Sequence, residues 1–188
     1  MSAIAEAGGN RANTDTVEDW FVGLYDTHRA LVFSAALRLC GRWPDAEDLT
    51  ADTFLRAYRA AAGYTAERRA ELMSRAWLMT ILMNLWRNRA RSQAHRPPPD
   101  RLPDDGVDEA DPRQDVPGTV EQRETTTELA RLLNHLPVAQ REAVVLRHVL
   151  DLSTREVAEI LNAPEGTVKS HVSRGLRRLR ELTEGDAQ

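Results

Sequence analysis

Thr80, Asn84, Arg87, Asn88 and Arg91 follow one another at intervals of four, three, one and three residues. On a helix this spacing gathers hydroxyl, amide and guanidinium groups along one strip. Amides can pair with base edges and guanidiniums with phosphates, so the chemistry on offer is recognition of nucleic acid rather than bond breaking. Arg75 to Arg96 holds five arginines and no acid, whereas a merely solvated face usually mixes both signs. A second acid-free block runs from Lys169 to Arg180. There Lys169, Ser170, Ser173, Arg174 and Arg177 oppose a stripe expected to be buried, made of Val168, Val172, Leu176 and Leu179.

Reaction chemistry is missing from the sequence. Cys40 stands alone in an apolar stretch, which excludes an internal disulfide and a Cys-based zinc site and suits core packing. The five histidines have no metal-ligand spacing, and there is neither a glycine-rich phosphate loop nor a Gly-x-Ser-x-Gly elbow. No catalytic residue, metal, cofactor or small-molecule substrate is therefore expected, and the chain is read as a non-enzyme. No apolar run reaches the roughly 18 residues of a membrane-spanning helix, and the N-terminus lacks the basic and apolar regions of a signal peptide. The expectation is a cytoplasmic protein with no membrane insertion.

The elements that must position the two strips follow from charge and proline. The net charge of −4 conceals a segmented chain. From His95 to Glu128 ten acids face four arginines, a local charge of −6 between two basic blocks. His95 to Gly118 also contains six prolines. Proline removes helix donors and like charges repel, so this stretch reads as an extended acidic tether. Elsewhere the period is helical and no alternating strand pattern occurs. The fold class is all-α: two small helical domains on an acidic, Pro-rich linker. The expected division is a disordered tail at 1–14, a first domain at 15–95, the linker at 96–120 and a second domain at 121–183.

Four helices are expected before the tether. The first is capped by Asp15 or Thr16, the second runs from about Ala30 to Cys40, the third from Pro44 to Gly63, and the fourth from about Ser74 to Gln93. After it come helices at about Thr127–His135 and from Leu136-Pro137 to about Val149. Ser153-Thr154-Arg155-Glu156 is a capping box opening a short helix, Asn162 to Gly166 makes a turn, and a last helix follows. This is the layout of a helix-turn-helix, with small Ala158 expected where the two helices approach. The start of such a second helix enters the major groove, which makes Lys169, Ser170 and Ser173 candidate base readers. Arg174, Arg177 and Arg178 would hold phosphates, and free N–H groups near Thr167 would add an anion contact.

With these residues assembled, the chain resembles the extracytoplasmic-function group of sigma-70 family sigma factors over nearly its whole length. Asp45 to Tyr58 looks like conserved region 2.2, Trp77 to Asn88 like regions 2.3 to 2.4, and Leu136 to Leu182 like region 4. The resemblance implies an alternative sigma factor that binds core RNA polymerase and directs promoter recognition, melting and initiation. In that scheme the first domain binds the minus-ten element through Trp77, Thr80, Asn84, Arg87, Asn88 and Arg91. The second binds the minus-thirty-five element through Thr167, Lys169, Ser170, Ser173, Arg174, Arg177 and Arg178. Region 2.2 of the family contacts the polymerase, which maps onto Asp48, Asp52 and Arg56, and an anti-sigma factor is an implied partner. Gly63 to Ala76 is longer than the family's compact segment, so its base-capture residues are not assigned. Two other readings share part of the pattern: a sigma-like decoy that binds a regulatory protein without touching DNA, and a response regulator with a helix-turn-helix output. The acid-free strips disfavour the first, and the lack of a receiver domain the second.

Promoter elements two helical turns apart lie roughly 70 Å from each other. Fully extended, the tether reaches roughly 85 Å. The resemblance implies that it threads the channel later used by nascent RNA, its acids imitating the transcript. Neutralising the seven acids from Asp100 to Asp115 to Asn or Gln should alter abortive synthesis and promoter escape, measured on short-transcript gels; unchanged ratios would refute the idea.

Overall fold

The computed structural model describes residues 16–94 and 120–185, with side chains at 16–92 and 125–184. The expected tail at 1–14 and the tether at 96–119 lie outside the described residues. Eight α-helices and no strand occur within them: α1 Val17–Cys40, α2 Trp43–Ala61, α3 Ala66–Ala70, α4 Ser74–Ala94, α5 Val120–Asn134, α6 Val138–Val144, α7 Thr154–Leu161 and α8 Glu165–Gly185.

Thr16 caps α1, its hydroxyl accepting from the Asp19 N–H at 3.1 Å. The helix then runs unbroken to Gly41, whose φ of +75° stops it and turns its N–H onto the Leu37 carbonyl at 2.7 Å. The two helices expected here are thus one. Residues 25–30 are polar but contain neither Gly nor Pro, and loss of apolar periodicity without a breaker does not end a helix. Leu24 lies buried before that stretch and Val32, Phe33, Leu37 and Leu39 after it.

Pro44 and Asp45 occupy the first turn of α2, where a missing N–H costs nothing and a carboxylate meets the positive helix end. Its buried line, Ala46, Leu49, Phe54, Ala57 and Ala61, packs on α1 and α4. In α4 the buried positions are Leu78, Met79, Leu82, Met83 and Trp86, a stripe advancing alternately by one and three that faces α1 and α2. Each fully buried leucine here contributes about 1.5–3 kcal/mol from apolar burial.

In the C-terminal unit α5 starts at Val120, several residues before the apolar pattern does. α6 passes into a single π-helical turn, Val145–Val149, and Asp151 at φ +48° reverses the chain toward α7. The Ser153–Glu156 box forms in both directions, at 3.2 and 2.7 Å. Asn162, at φ +49°, closes α7.

In α8 the buried line differs from expectation. Val168 is buried and Val172 and Leu179 are partly so, but Leu176 is exposed, and Gly175 lies against α6 instead. A β-carbon at position 175 would come within 2.7 Å of Val144 Cγ2. The stripe is therefore 168, 172, 175 and 179, with Gly175 allowing the close crossing of α8 on α6, while Ala158 of α7 lies half-buried against the core.

The two units are not separate in this structure. α1 packs on α5, α4 on α7, and the buried residues of both form one continuous core. Gly175→Ala should force α6 and α8 apart and lower stability by about 1–3 kcal/mol, read from thermal or urea unfolding; an unchanged midpoint would contradict the crossing described.

Candidate nucleic-acid interface

The face expected on the last helix is assembled as a unit. The capping box fixes α7, Asn162 turns the chain, and Val168 anchors α8 in the core. Thr167, Lys169, Ser170, Ser173, Arg174, Arg177 and Arg178 all emerge exposed on α8. Arg174 Nε bonds the Ser170 carbonyl at 3.2 Å, and Arg177 lies 3.9 Å from Glu181 with both side chains mostly solvated. Contacts of this kind are weak and readily exchanged for others. The N–H of Thr167 itself is not free for an anion: it donates to the Pro164 carbonyl at 2.9 Å, and the Val168 N–H bonds the same oxygen at 3.1 Å. Glu165 adds a carboxylate to that first turn.

The strip on α4 divides. Asn84, Asn88 and Arg91 are exposed, and Arg91 Nη2 donates to Asn88 Oδ1 at 2.6 Å. Thr80 is half-buried, its hydroxyl returned to the Ala76 carbonyl at 2.9 Å. Trp77 is held between rings, with centroids 6.4 Å from Trp20 and 6.1 Å from Tyr64. Arg87 is turned away from the open strip. Its Nε and Nη2 grip the Glu142 carboxylate at 2.9–3.1 Å, and Nη1 reaches the Leu161 carbonyl at 3.3 Å. Periodicity places Arg87 on the correct side of α4, but only the tertiary structure supplies a carboxylate there.

Asp48, Asp52 and Arg56 lie exposed at i, i+4 and i+8 of α2, so they share one face. Asp52 accepts a 2.6 Å bond from Arg89 Nη2, which ties α4 to α2. That arginine belongs to the acid-free block but was not singled out by spacing, because it lies off the strip.

Within Gly63 to Ala76, Thr65 caps the short α3 with its hydroxyl on the Arg68 N–H, and Arg69 holds the Tyr64 carbonyl at 2.8 Å. Met73 projects into solvent at 71% exposure. Met73 is the most exposed large apolar side chain among the described residues.

Sequence reasoning missed Arg141 and Glu142. In a short amphipathic helix two adjacent charges look solvated, yet they are 8% and 3% exposed. Arg141 donates to the Leu39 carbonyl at 2.6 Å, to Asn134 Oδ1, to the Asn134 carbonyl at 2.8 Å and to the Leu136 carbonyl at 3.3 Å, and its guanidinium lies 5.7 Å from the Trp86 ring centroid. Burial lowers its pKa from the ordinary arginine value. Burial, with Asp45 adding to it, pushes the Cys40 thiol up to about 12, so this thiol sits in the core as a neutral group. Hydrogen bonds to Ser153 hold the Glu156 carboxyl below its usual range. Burial, aided by Arg75, lowers the pKa of His28.

Comparison with known proteins gives these surfaces a context. The family model "Sigma-70 region 2" matches residues 24–96, and "Sigma-70, region 4" matches residues 126–179. The RNA polymerase sigma-E factor of Streptomyces avermitilis is 33% identical, over 84% of this chain and 82% of its own. The ECF RNA polymerase sigma factor SigE of Mycolicibacterium smegmatis is 31% identical, over 96% of this chain and 66% of its own. Among solved structures, the sigma factor RpoE of Bartonella quintana, crystallised with the anti-sigma factor NepR, superposes with a TM-score of 0.62 at 25% identity, covering 87% of this chain and 96% of that one. With both regions matched in order and a relative 33% identical over most of both chains, the chain belongs to the extracytoplasmic-function group of the sigma-70 family, alternative sigma factors that direct promoter recognition and transcription initiation.

Proposed function

We propose that this sigma factor reads the minus-thirty-five element with the first half of α8 and the minus-ten element with α4. The carrying observation is the exposed, acid-free face of α8 from Thr167 to Arg178. Lys169, Ser170 and Ser173 face base edges, while Arg174, Arg177 and Arg178 hold phosphates and Thr167 flanks the groove. On α4, Asn84, Asn88 and Arg91 engage the duplex, joined by Arg87 once it leaves Glu142. Thr80 and Trp77 border the point of melting. Asp48, Asp52 and Arg56 make the polymerase-facing side of α2.

In this scheme residues 15–95 and 121–183 are the two binding domains, 96–120 the tether between them, and 1–14 a tail. The chain acts without catalytic groups or cofactors, in the cytoplasm where the polymerase works. No described helix is long and apolar enough to cross a membrane. An anti-sigma factor is its regulatory partner, in keeping with the NepR complex of the Bartonella relative.

Run-off transcription with purified core polymerase, with and without the chain, tests the reading: start-site selection should appear only when the chain is added. Lys169→Ala or Ser173→Ala should relax preference at one upstream base pair, by roughly 1–3 kcal/mol per lost base contact, in competition binding. Arg177→Ala should weaken all sequences alike and reduce the salt slope by about 1. If Arg177→Ala changed sequence preference and Lys169→Ala did not, the assigned orientation of α8 would be wrong.

A further inference from the structure

We propose that Glu165 and Gly166, at the tip of α8, set base preference in the minus-thirty-five element: the Glu165 carboxylate accepts from the exocyclic amine of a cytosine, and the bare backbone at 166 lets the helix seat deep enough to reach it. The proposal rests on the assignment of α8 to that element.

Charge sets Glu165 apart. From 165 to 180 it is the only acid, against Lys169, Arg174, Arg177, Arg178 and Arg180. A carboxylate at the leading end of a helix that enters a groove flanked by phosphates is repelled by them, so it weakens binding to DNA in general. Its side chain is exposed, and none of the described residues donates to it or forms an ion pair with it. Arg155, which lines the same groove between α7 and α8, is committed to Glu159 at 3.1 Å. The carboxylate is left to a partner outside the chain. The positive helix end favours an acid in the first turn, but that effect asks nothing of the next residue.

Gly166 supplies a second, independent observation. Glycine weakens a helix relative to alanine, and nothing inside this fold calls for it at 166. Its φ is not left-handed, and a β-carbon there would meet no atom within 4 Å. Gly175, by contrast, is demanded by Val144. The space kept open at 166 serves the close approach of whatever α8 docks on.

The chemistry of the groove floor selects the base. Guanine N7 and O6 and thymine O4 are acceptors that repel a carboxylate, and adenine sets its amine beside the acceptor N7, whereas cytosine presents its N4 amine alone. Lys169 follows one turn later on the same side of α8, and its ammonium suits the guanine acceptors. Opposite charges one turn apart thus suit opposite members of a G·C pair.

The test selects duplexes from a pool randomised across the minus-thirty-five element, using holoenzyme rebuilt from the full chain and core polymerase. The unaltered chain should prefer cytosine at one position. Glu165→Ala should lower that preference about tenfold, the effect of losing one hydrogen bond to a charged group. It should leave the other positions unchanged and tighten binding to unrelated DNA, since a repelling charge is gone. Glu165→Gln should move the preference toward adenine, with whose edge an amide pairs. Gly166→Ala should raise the unfolding midpoint yet weaken binding to the selected duplex, a combination that a role confined to the fold does not produce. Cytosine preference kept in both Glu165 variants, or a uniform gain over all sequences with discrimination intact, would overturn the assignment and leave Glu165 as a helix-end charge. Full affinity in Gly166→Ala would overturn the close approach. If the unaltered holoenzyme showed no upstream preference at all, the assignment of α8 would fall and this proposal with it, whereas a preference moved by Lys169→Ala and not by Glu165→Ala would sink this proposal alone.

Discussion

Two neighbouring charges carried into an apolar core set a condition that the rest of the structure must meet. Removing an ion from water costs several kcal/mol unless partners replace its hydration. Arg141 and Glu142 point to different elements: the first finds the Leu39, Asn134 and Leu136 carbonyls, the second the guanidinium of Arg87. These partners lie on α1, α4, α5 and the turn before α6, so the orientation of the C-terminal unit follows from where the charges can be satisfied. Apolar contacts between α1 and α5 supply area but tolerate sliding, whereas a forked ion pair does not.

That condition accounts for the difference between the two basic faces. α8 turns its apolar line, narrowed by Gly175, onto α6 and keeps its cationic side wholly in solvent. α4 has core on one side and the seam on the other, so Glu142 occupies Arg87 of its strip and aromatic rings surround Trp77, while Arg89, off the strip, is bound to Asp52.

The acids complete the picture. With acid-free basic stretches on α4 and α8, a chain of net negative charge still presents two local positive surfaces. Asp48, Asp52 and Arg56 lie on the outer face of α2, away from the seam, so a partner bound there would leave the packing between the units untouched.

What the sequence by itself determined is whatever depends on near neighbours. Thr16, Pro44, Gly41, the Ser153–Glu156 box and the four-residue periods of α4 and α8 announce helices, caps and faces, since a helix is built from contacts three or four residues apart. The exposed polar and basic face of α8 was legible for the same reason. Polar residues 25–30 misled because they resemble a break while containing no breaker, and Leu176 because Gly175, not a leucine, meets Val144. The tertiary structure alone decided that Arg87 faces a carboxylate 55 residues away, that Arg141 caps a helix 102 residues back, and that the two units share one core. Periodicity can say which side of a helix a residue is on. It cannot say what stands opposite, because that is settled by the cost of leaving a charge dry anywhere else.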